Sequence, residues 1–158
     1  MNKILLASHG PLAKAMKKTA EFIMGENDNV QYLCAYVDED SMDLPRMIDC
    51  WEKEKRQEDI WIVITDIFGG SVNNEFMTRA KNDSFYLLAG MSLPLVLSLW
   101  TEEDIVDQGQ IQNIVADAAK ETVVFCNSLL EQSVEDEDEE TGWTDRYMES
   151  RRGGFTKL

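Results

Sequence analysis

The sequence predicts an α/β fold: a three-layer sandwich in which a doubly wound, mainly parallel sheet lies between two layers of helices. Over residues 1–90, short runs of β-branched and large apolar residues alternate with segments whose apolar residues share one helical face. Strands that alternate with helices in this way form parallel sheets. With 158 residues, 44% of them hydrophobic, the chain is also long enough to bury a core of its own. We expect the strand order 2-1-3-4, which is common in doubly wound sheets.

Four short apolar runs are predicted to be strands, at residues 3–8, 30–37, 60–65 and 85–89. The third run is the most apolar of them. Gly90 ends the fourth, because glycine interrupts a strand.

Helices are predicted where apolar residues share one face. Gly25 ends the first helix, Pro45 lies in the first turn of the second, and Ser71 is the expected N-cap of the third, which runs to about Ala80. Pro94 opens another helical stretch. Residues 122–125 would suit a helix or a strand equally well, so their assignment stays open. The predicted faces are Leu12, Met16, Ala20 and Ile23; Leu44, Met47, Ile48 and Trp51; and Ile111, Ile114, Val115, Ala118 and Thr122.

Composition argues against several classes of protein. The longest apolar runs are far shorter than the roughly 18 to 20 residues of a membrane span, and the amino terminus shows no cleavage signal, so we expect a cytoplasmic protein. The net charge of −15 repels nucleic acid and anionic lipid, and it would attract a basic protein partner. Cys34, Cys50 and Cys126 fit neither a disulfide framework nor a zinc site, and we expect reduced, mostly buried thiols.

An unbroken acidic run at residues 135–140 ends the predicted folded domain. Such a run repels itself and offers no core-forming residue, so we expect it to be disordered. The predicted organisation is therefore one domain at residues 1–132, followed by an acidic linker and carboxyl-terminal tail at residues 133–158.

Two reactive side chains follow neighbouring strands of the predicted sheet. His9, the one histidine of the chain, comes directly after the first strand, and Asp66 comes directly after the third. Ligands and reactive groups gather at the carboxyl ends of parallel strands, where the strand order reverses. We therefore expect the imidazole and the carboxylate to meet there, with Gly10 and Thr65 as supporting neighbours.

The loop after the third strand supplies a predicted phosphate-binding site. Gly69 and Gly70 would let backbone amides face a bound anion, and Ser71 begins a helix whose amino terminus carries partial positive charge. Asp66 would accept a hydrogen bond from one ring nitrogen of His9 and leave the other nitrogen free to attack phosphorus. These parts fit phosphoryl transfer through His9 as the phosphorylated nucleophile, and the chemistry needs no metal or other cofactor.

Three motifs carry a resemblance to a known family. They are L-A-S-H-G at residues 6–10, T-D-I-F-G-G-S at residues 65–71 and A-G-M-S-L-P-L at residues 89–95. Together they resemble the IIA component of the mannose, fructose and sorbose family of the sugar phosphotransferase system, over roughly residues 1–130. Two positions depart from the family pattern: Val72 stands where proline is usual, and Ser92 where asparagine is usual. Ser92 is a further supporting candidate whose polar contact the departure leaves open.

The resemblance implies a phosphohistidine on His9, formed by transfer from the phosphocarrier protein HPr and discharged to a histidine of a separate IIB component. It implies attack through the ring nitrogen remote from the backbone, with Asp66 as the carboxylate partner. Family members are typically homodimers that exchange an antiparallel carboxyl-terminal strand, which gives residues 122–130 a candidate role. The membrane components IIC and IID would be reached only indirectly, and the sugar is not specified.

Other functions use a similar layout. The phosphoryl-donor subunit of a dihydroxyacetone kinase also resembles this fold and carries a histidine after its first strand. A receiver-like domain would use Asp66 as phosphoacceptor but needs acidic residues where Ser8 and His9 stand, and a flavodoxin-like module needs a hydroxyl-rich loop there. A hydrolase built on Ser71, His9 and Asp66 would lack the second glycine of a nucleophile elbow. A regulatory protein in which His9 carries no phosphate is a further alternative.

Overall fold

The first 90 residues contribute the four strands of one parallel sheet. The computed structural model describes residues 2–56, 58–80, 85–102, 105 and 107–129. The strands are β1 (Asn2–His9), β2 (Val30–Ala35), β3 (Ile60–Thr65) and β4 (Phe85–Ala89). Their order is β2-β1-β3-β4, and each neighbouring pair is parallel. The predicted α/β class and strand order are therefore confirmed.

In the part of the chain that the structure describes, five helices cover the two faces of the sheet. They are α1 (Leu12–Met24), α2 (Leu44–Glu54), α3 (Ser71–Arg79), α4 (Leu93–Trp100) and α5 (Gln108–Thr122), and a short 3-10 helix spans Asp40–Met42. Buried residues of α1, α4 and α5 share one apolar cluster, while those of α2 and α3 share the other. The sheet therefore has helices on both faces, which gives the three layers that the sequence predicts.

Successive residues of the central strands enter opposite clusters. In β1, Ile4 and Leu6 pack on the side of α1, whereas Leu5 and Ala7 pack on the side of α2. A strand that alternates its side chains between two covered faces is apolar along its whole length. Each large side chain buried in this way stabilises the fold by about 1.5–3 kcal/mol. The burial fixes the register of β1, because a shift by one residue would exchange its two faces.

Four aromatic side chains form the centre of the cluster beneath α2 and α3. The rings of Trp51 and Trp61 lie 5.2 Å apart at 90°, and the ring of Phe76 lies 5.9 Å from Trp51 at 73°. Phe85 completes the group at 6.1 Å from Phe76. Edge-to-face contacts of this kind add to the burial energy of the rings. Through Phe76, these contacts pack α3 against the sheet, and α3 carries part of the candidate site.

Several local predictions were wrong by one residue or more. β1 includes His9 and β2 ends at Ala35, two residues earlier than predicted. In α1, the predicted face is correct at Ala20, which is buried, and at Met16, which packs against the core, but Leu12 is 43% exposed and Ala13 is buried instead. Ser71 is not the N-cap of α3: Gly70 holds that position and Ser71 is the first helical residue.

The three cysteines are free, as predicted, but their predicted burial was mostly wrong. Cys34 is half-buried on β2, whereas Cys50 and Cys126 are exposed. Cys50 lies in α2, whose buried face is formed by Leu44, Ile48 and Trp51. A position two residues beyond Ile48 turns away from that face, because a helix advances 100° per residue.

The chain divides into two units between Thr122 and Val123. Sequence analysis left open whether Thr122 belongs to a helix or a strand. It is the last residue of α5, so it is helical. In the second unit, residues 126–129 form a helical turn, and its described part, residues 123–129, contains no strand. An exchanged strand therefore stays a prediction about a dimer. The boundary at residues 132 and 133 and the acidic run at residues 135–140 lie outside the described residues.

Within the described ranges, no helix combines the length and the apolar character that a bilayer span requires.

We predict that Phe76→Ala destabilises the protein by about 3–5 kcal/mol, because it empties a fully buried site between aromatic rings. Phe22→Ala is the matched control, since Phe22 is 87% exposed and its truncation should change stability by less than about 0.5 kcal/mol. Urea unfolding followed by circular dichroism measures both. Equal losses in the two variants would contradict the assignment of the core.

Candidate functional site

The candidate site lies at the carboxyl edge of the sheet, where β1 and β3 end side by side. His9 is the last residue of β1, and Ala7, two residues before it, is paired with Thr65 at the end of β3. Asp66 follows Thr65 directly. The structure therefore brings together the histidine and the carboxylate that the sequence singles out. Gly10 then turns the chain towards α1 in a left-handed conformation (φ 58°) that favours glycine.

A single oxygen of Asp66 holds both the backbone and the ring of His9. Its Oδ2 accepts a hydrogen bond from the His9 backbone N–H at 2.8 Å and lies 2.8 Å from Nδ1 of the imidazole. Its Oδ1 accepts from the backbone N–H of Ile67 at 2.9 Å. The Asp66 side chain is 11% exposed, whereas that of His9 is 39% exposed. The carboxylate is thus fixed inside, and the ring reaches solvent.

These contacts keep Asp66 ionised at neutral pH. Burial raises its pKa, but the hydrogen bonds from the His9 ring, the His9 backbone and Ile67 outweigh burial, and the pKa lies below its ordinary value of 3.8. A carboxylate can only accept hydrogen bonds, so Nδ1 of His9 carries the hydrogen between them. In the neutral ring, Nε2 therefore has a free lone pair and points away from Asp66.

Ser71 lies on the open side of the ring. Its Oγ is 2.9 Å from Nε2 of His9, and because Nε2 carries no hydrogen in this tautomer, the serine hydroxyl donates to it. Asp66, His9 and Ser71 thus form one line of hydrogen bonds. Ser71 is also the first residue of α3, and the first N–H groups of a helix have no partner within it. These groups can donate to an anion.

Gly70 leaves the space that the His9 ring needs. A Cβ atom at this position would lie 3.0 Å from Cε1 of His9 and 2.7 Å from Cγ2 of Ile67. Its backbone is extended (φ −69°), so close approach and not conformation requires glycine here. Any larger residue would press on the imidazole.

The expectation that the two glycine amides are free was wrong. The Gly69 N–H donates to Oδ1 of Asn73 at 3.1 Å, and the Gly70 N–H donates to the Ile67 carbonyl at 3.3 Å. These bonds shape the loop. Gly69 itself has a left-handed conformation (φ 77°). The groups available to an anion are therefore the hydroxyl of Ser71 and the N–H groups of the first turn of α3.

Thr65 supports the loop from below. Its buried hydroxyl donates to the Leu88 carbonyl at 3.1 Å and accepts from Nδ2 of Asn73 at 3.0 Å. Asn73 is 2% exposed and connects this hydroxyl to Gly69. Buried polar groups that are fully bonded hold a single arrangement. Asn73 was not predicted as a site residue, because the burial that gives it this role is visible only in the structure.

Tyr36 is the second residue that the sequence analysis missed. It follows β2, whose last residue, Ala35, is paired with His9. Its hydroxyl lies 3.0 Å from Oγ of Ser71, and its ring lies 5.7 Å from the imidazole. The strand-end argument that selected His9 and Asp66 did not select Tyr36, because the predicted second strand ran to residue 37 and placed Tyr36 inside it, whereas β2 ends at Ala35.

The contacts of Ser92 lie within α4 and α5. Its hydroxyl accepts from the Leu95 N–H at 3.4 Å, as the N-cap of α4, and lies 3.1 Å from the hydroxyl of Thr122. Sequence analysis left open which polar contact serine makes in place of the usual asparagine. Ser92 caps α4 and also contacts α5. Among the described residues, no group of three or more His, Cys, Asp or Glu side chains is placed to hold a metal ion.

An apolar rim lies in the chain segments that follow β1 and β3. We use this name for Ile67 and Phe68, in the loop between β3 and α3, and Leu12, at the start of α1, which are 60%, 79% and 43% exposed. Large apolar side chains exposed beside a reactive group are a feature of protein contact sites. The ring is therefore accessible to a macromolecule.

Comparison with known sequences finds one family that matches most of the first unit. The sequence model for "PTS system fructose IIA component" matches residues 3–122, where PTS is the phosphotransferase system. The match includes every residue of the site described above.

Solved structures give the same assignment. A structure from Klebsiella pneumoniae, named as a candidate phosphoenolpyruvate-dependent sugar PTS permease, is 35% identical, with a TM-score of 0.74, over 82% of this chain and 93% of that one. The PTS IIA protein associated with the fucose utilization operon of Streptococcus pneumoniae is 28% identical, with a TM-score of 0.68, over 81% and 96%. The PTS component EIIA of Streptococcus agalactiae shares the fold, with a TM-score of 0.67. It is 19% identical over 81% of this chain and 99% of that one.

We predict that Asp66→Ala costs about 1–3 kcal/mol of stability at pH 7, because it removes a charged acceptor of three N–H groups. The pKa of Asp66 is lowered on folding, so its stabilisation is present above 3.8 and is lost as the pH falls through the folded-state value. Urea unfolding should therefore show a difference in stability between native protein and variant at pH 7 that narrows as the pH falls below 3.8. A difference that persists in acid would contradict the prediction.

We predict that Gly70→Ala displaces the imidazole, because the new methyl group would contact Cε1 of His9. His9 is the one histidine of the chain, so its ring signals can be followed by NMR without ambiguity. Gly69→Ala is the control: it strains a left-handed backbone at a cost of about 1–3 kcal/mol, but its Cβ meets no atom within 4 Å. A larger ring displacement in the Gly69 variant would refute the role given to Gly70.

Proposed function

Because the chain belongs to the fructose IIA component family of the sugar phosphotransferase system, a family of sugar phosphotransfer, we propose that it is a phosphoryl carrier. His9 accepts a phosphoryl group from the phosphohistidine of HPr and donates it to a histidine of a separate IIB component. Both partners act in the cytoplasm, and we place this chain there with them. The membrane components IIC and IID are reached only through IIB.

The observation that carries the proposal is the line of hydrogen bonds through His9. Asp66 fixes the hydrogen on Nδ1, so the lone pair of Nε2 points outwards, past Ser71, to the exposed side. An imidazole attacks phosphorus only through a nitrogen without a hydrogen. The geometry thus prepares the nitrogen remote from the backbone for attack, which is the one that the family resemblance implies.

The phosphoryl group can pass from the donor ring to His9 without the transfer of a proton. The lone pair of Nε2 forms the new bond to phosphorus while the bond between phosphorus and the donor nitrogen breaks, and its electron pair returns to the donor ring. The hydrogen on Nδ1 stays where it is, so the phosphorylated ring is formally cationic. Asp66, ionised and 2.8 Å away, stabilises that charge. The reverse step on IIB follows the same path.

The first turn of α3 is the proposed binding site for the phosphoryl oxygens. The Ser71 hydroxyl and the N–H groups of Ser71 and Val72 can donate to them, and the helix amino terminus favours negative charge. Gly69 and Gly70 shape the loop that presents this turn. Valine at position 72 keeps a backbone N–H that the proline usual in the family would lack.

The apolar rim and the net charge suit protein partners. Ile67 and Phe68 lie in the loop next to the imidazole and would be covered by a docked protein. The net charge of −15 attracts a partner with a basic surface and raises the rate of encounter. HPr and IIB would use this face in turn, because each must reach Nε2. We also expect the homodimer that the family resemblance implies.

We favour sugar transport over the dihydroxyacetone kinase alternative. The Klebsiella pneumoniae relative is named as a sugar PTS permease and the Streptococcus pneumoniae relative as a PTS IIA protein. The two functions share the phosphohistidine and differ in the acceptor. Transfer to a IIB histidine supports the first, and transfer to a nucleotide-bearing kinase subunit supports the second.

One observation favours a second candidate, hydrolysis by a Ser-His-Asp triad. The distances from Asp66 to His9 and from His9 to Ser71, 2.8 and 2.9 Å, are those of such a triad. The sequence G-G-S-V-N around Ser71 lacks the second glycine of a nucleophile elbow. Tyr36 also contacts Oγ of Ser71, and a phenol that donates to this oxygen weakens it as a nucleophile.

We predict that incubation with phosphoenolpyruvate, enzyme I and HPr adds one acid-labile phosphoryl group to the native protein and none to His9→Ala. Asp66→Ala should slow the transfer by about 100-fold. Without the carboxylate, the hydrogen is no longer fixed on Nδ1 and the positive charge of the phosphorylated ring is no longer stabilised. Intact-mass measurement over time follows both reactions.

Ser71→Ala separates the two candidate functions. A carrier still acquires the acid-labile group on His9, only more slowly, whereas a hydrolase loses its nucleophile and all activity. An acid-stable adduct on the native protein, or a labelled His9→Ala variant, would refute His9 as the phosphoryl acceptor.

A further inference from the structure

Tyr36 has contacts that link it to the chemistry of His9. It is 38% exposed, yet its hydroxyl lies 3.0 Å from Oγ of Ser71 and its ring lies 5.7 Å from the imidazole, tilted by 35°. Since β1 and β2 are parallel and His9 is paired with Ala35, Tyr36 stands at the same edge as the reactive nitrogen. A half-exposed aromatic residue contributes little to the core, so its position calls for another explanation.

The backbone at Tyr36 is strained in order to hold this position. Its φ of 64° is the left-handed conformation, which bulky residues rarely adopt, and it is the one non-glycine residue with positive φ among those described. The Tyr36 N–H donates to the Ser41 carbonyl at 3.0 Å. The Ser41 hydroxyl then accepts from the N–H groups of Val37 and Asp38, at 2.9 and 2.8 Å. This turn keeps the tyrosine in place, and such strain is concentrated at functional sites.

When the His9 ring is neutral, the hydrogen bonds from Asp66 to Tyr36 can have only one direction. Asp66 accepts, so Nδ1 of His9 carries the ring hydrogen and Nε2 accepts from Ser71. The single hydrogen of the Ser71 hydroxyl is used in that bond. Ser71 can therefore only accept from Tyr36, whose hydroxyl is the donor. The chain of hydrogen bonds runs from Tyr36 through Ser71 to the lone pair that attacks phosphorus.

We propose that Tyr36 is a positioning residue for phosphoryl transfer, which acts on His9 through Ser71. The inference rests on the proposed function. By donating to Oγ of Ser71, Tyr36 leaves the serine with one rotamer, in which its hydrogen points at the site of reaction. When the lone pair of Nε2 bonds to phosphorus, that hydrogen turns to a phosphoryl oxygen, and Tyr36 keeps its bond to Oγ. Because Oγ of Ser71 still accepts from Tyr36, this turn from Nε2 to the phosphoryl oxygen is the one reorientation that the hydroxyl makes as it stabilises the transferring group.

The test compares Tyr36→Phe, Ser71→Ala and the double variant, with phosphorylated HPr as donor. Tyr36→Phe keeps the ring and removes one hydrogen bond, so we expect transfer to His9 to slow by about tenfold. Because Tyr36 acts through Ser71, the double variant should be no slower than Ser71→Ala alone. Tyr32→Phe is the matched control: Tyr32 lies on β2, is 45% exposed and should transfer at the native rate.

NMR of the imidazole nitrogens gives a second readout that a loss of packing would not produce. In Tyr36→Phe the Nε2 signal should move towards that of a nitrogen that accepts a weaker hydrogen bond, while Nδ1 keeps its hydrogen. A native transfer rate in Tyr36→Phe, or losses that add in the double variant, would overturn the role of Tyr36 alone. A native protein that takes no phosphoryl group would overturn both this inference and the proposed function.

Discussion

The site depends on one carboxylate oxygen that accepts two hydrogen bonds from the same histidine. Oδ2 of Asp66 receives the backbone N–H and lies 2.8 Å from Nδ1 of His9, so it fixes the end of β1 and the plane of the ring together. The hydrogen bond from Ile67 then holds the other oxygen. Because the carboxylate is almost enclosed and ionised, the ring has one tautomer and one orientation. The direction of Nε2, and with it the role of Ser71, follows from this contact.

The loops around this contact adopt conformations that few residues allow. Gly10 and Gly69 have φ values of 58° and 77°, and Tyr36, at 64°, adopts a similar conformation despite its side chain. Gly70 has ordinary angles but no room for a side chain. The parallel strands place these loops at one edge, and the loops then place the reactive groups within hydrogen-bond distance. Backbone strain and close approach are therefore found where the chemistry is, and the helices and strands remain regular.

The polar network and the exposed surface have separate tasks. Thr65 and Asn73 are buried and join the loop after β3 to β4, which makes the inner half of the site rigid. Ile67 and Phe68, in the same loop, are exposed. The proposed phosphoryl carrier has to hold its imidazole still and yet present it to two proteins in turn. One short loop can meet both needs, because its polar groups face inwards and its apolar groups face outwards.

The fold class was predictable from the sequence alone, and so was the meeting of His9 with Asp66 once the common strand order 2-1-3-4 was assumed. Apolar periodicity is a local property, and the carboxyl ends of adjacent parallel strands must meet at one edge, so neither conclusion needed coordinates. The tertiary structure decided that Ala13 and not Leu12 is buried, that Gly70 and not Ser71 caps α3, and that Tyr36 and Asn73 belong to the site. These depend on side-chain directions and on distances between loops of different strands. Spacing along the chain does not contain that information, because loop conformation is set by contacts with residues far away in sequence.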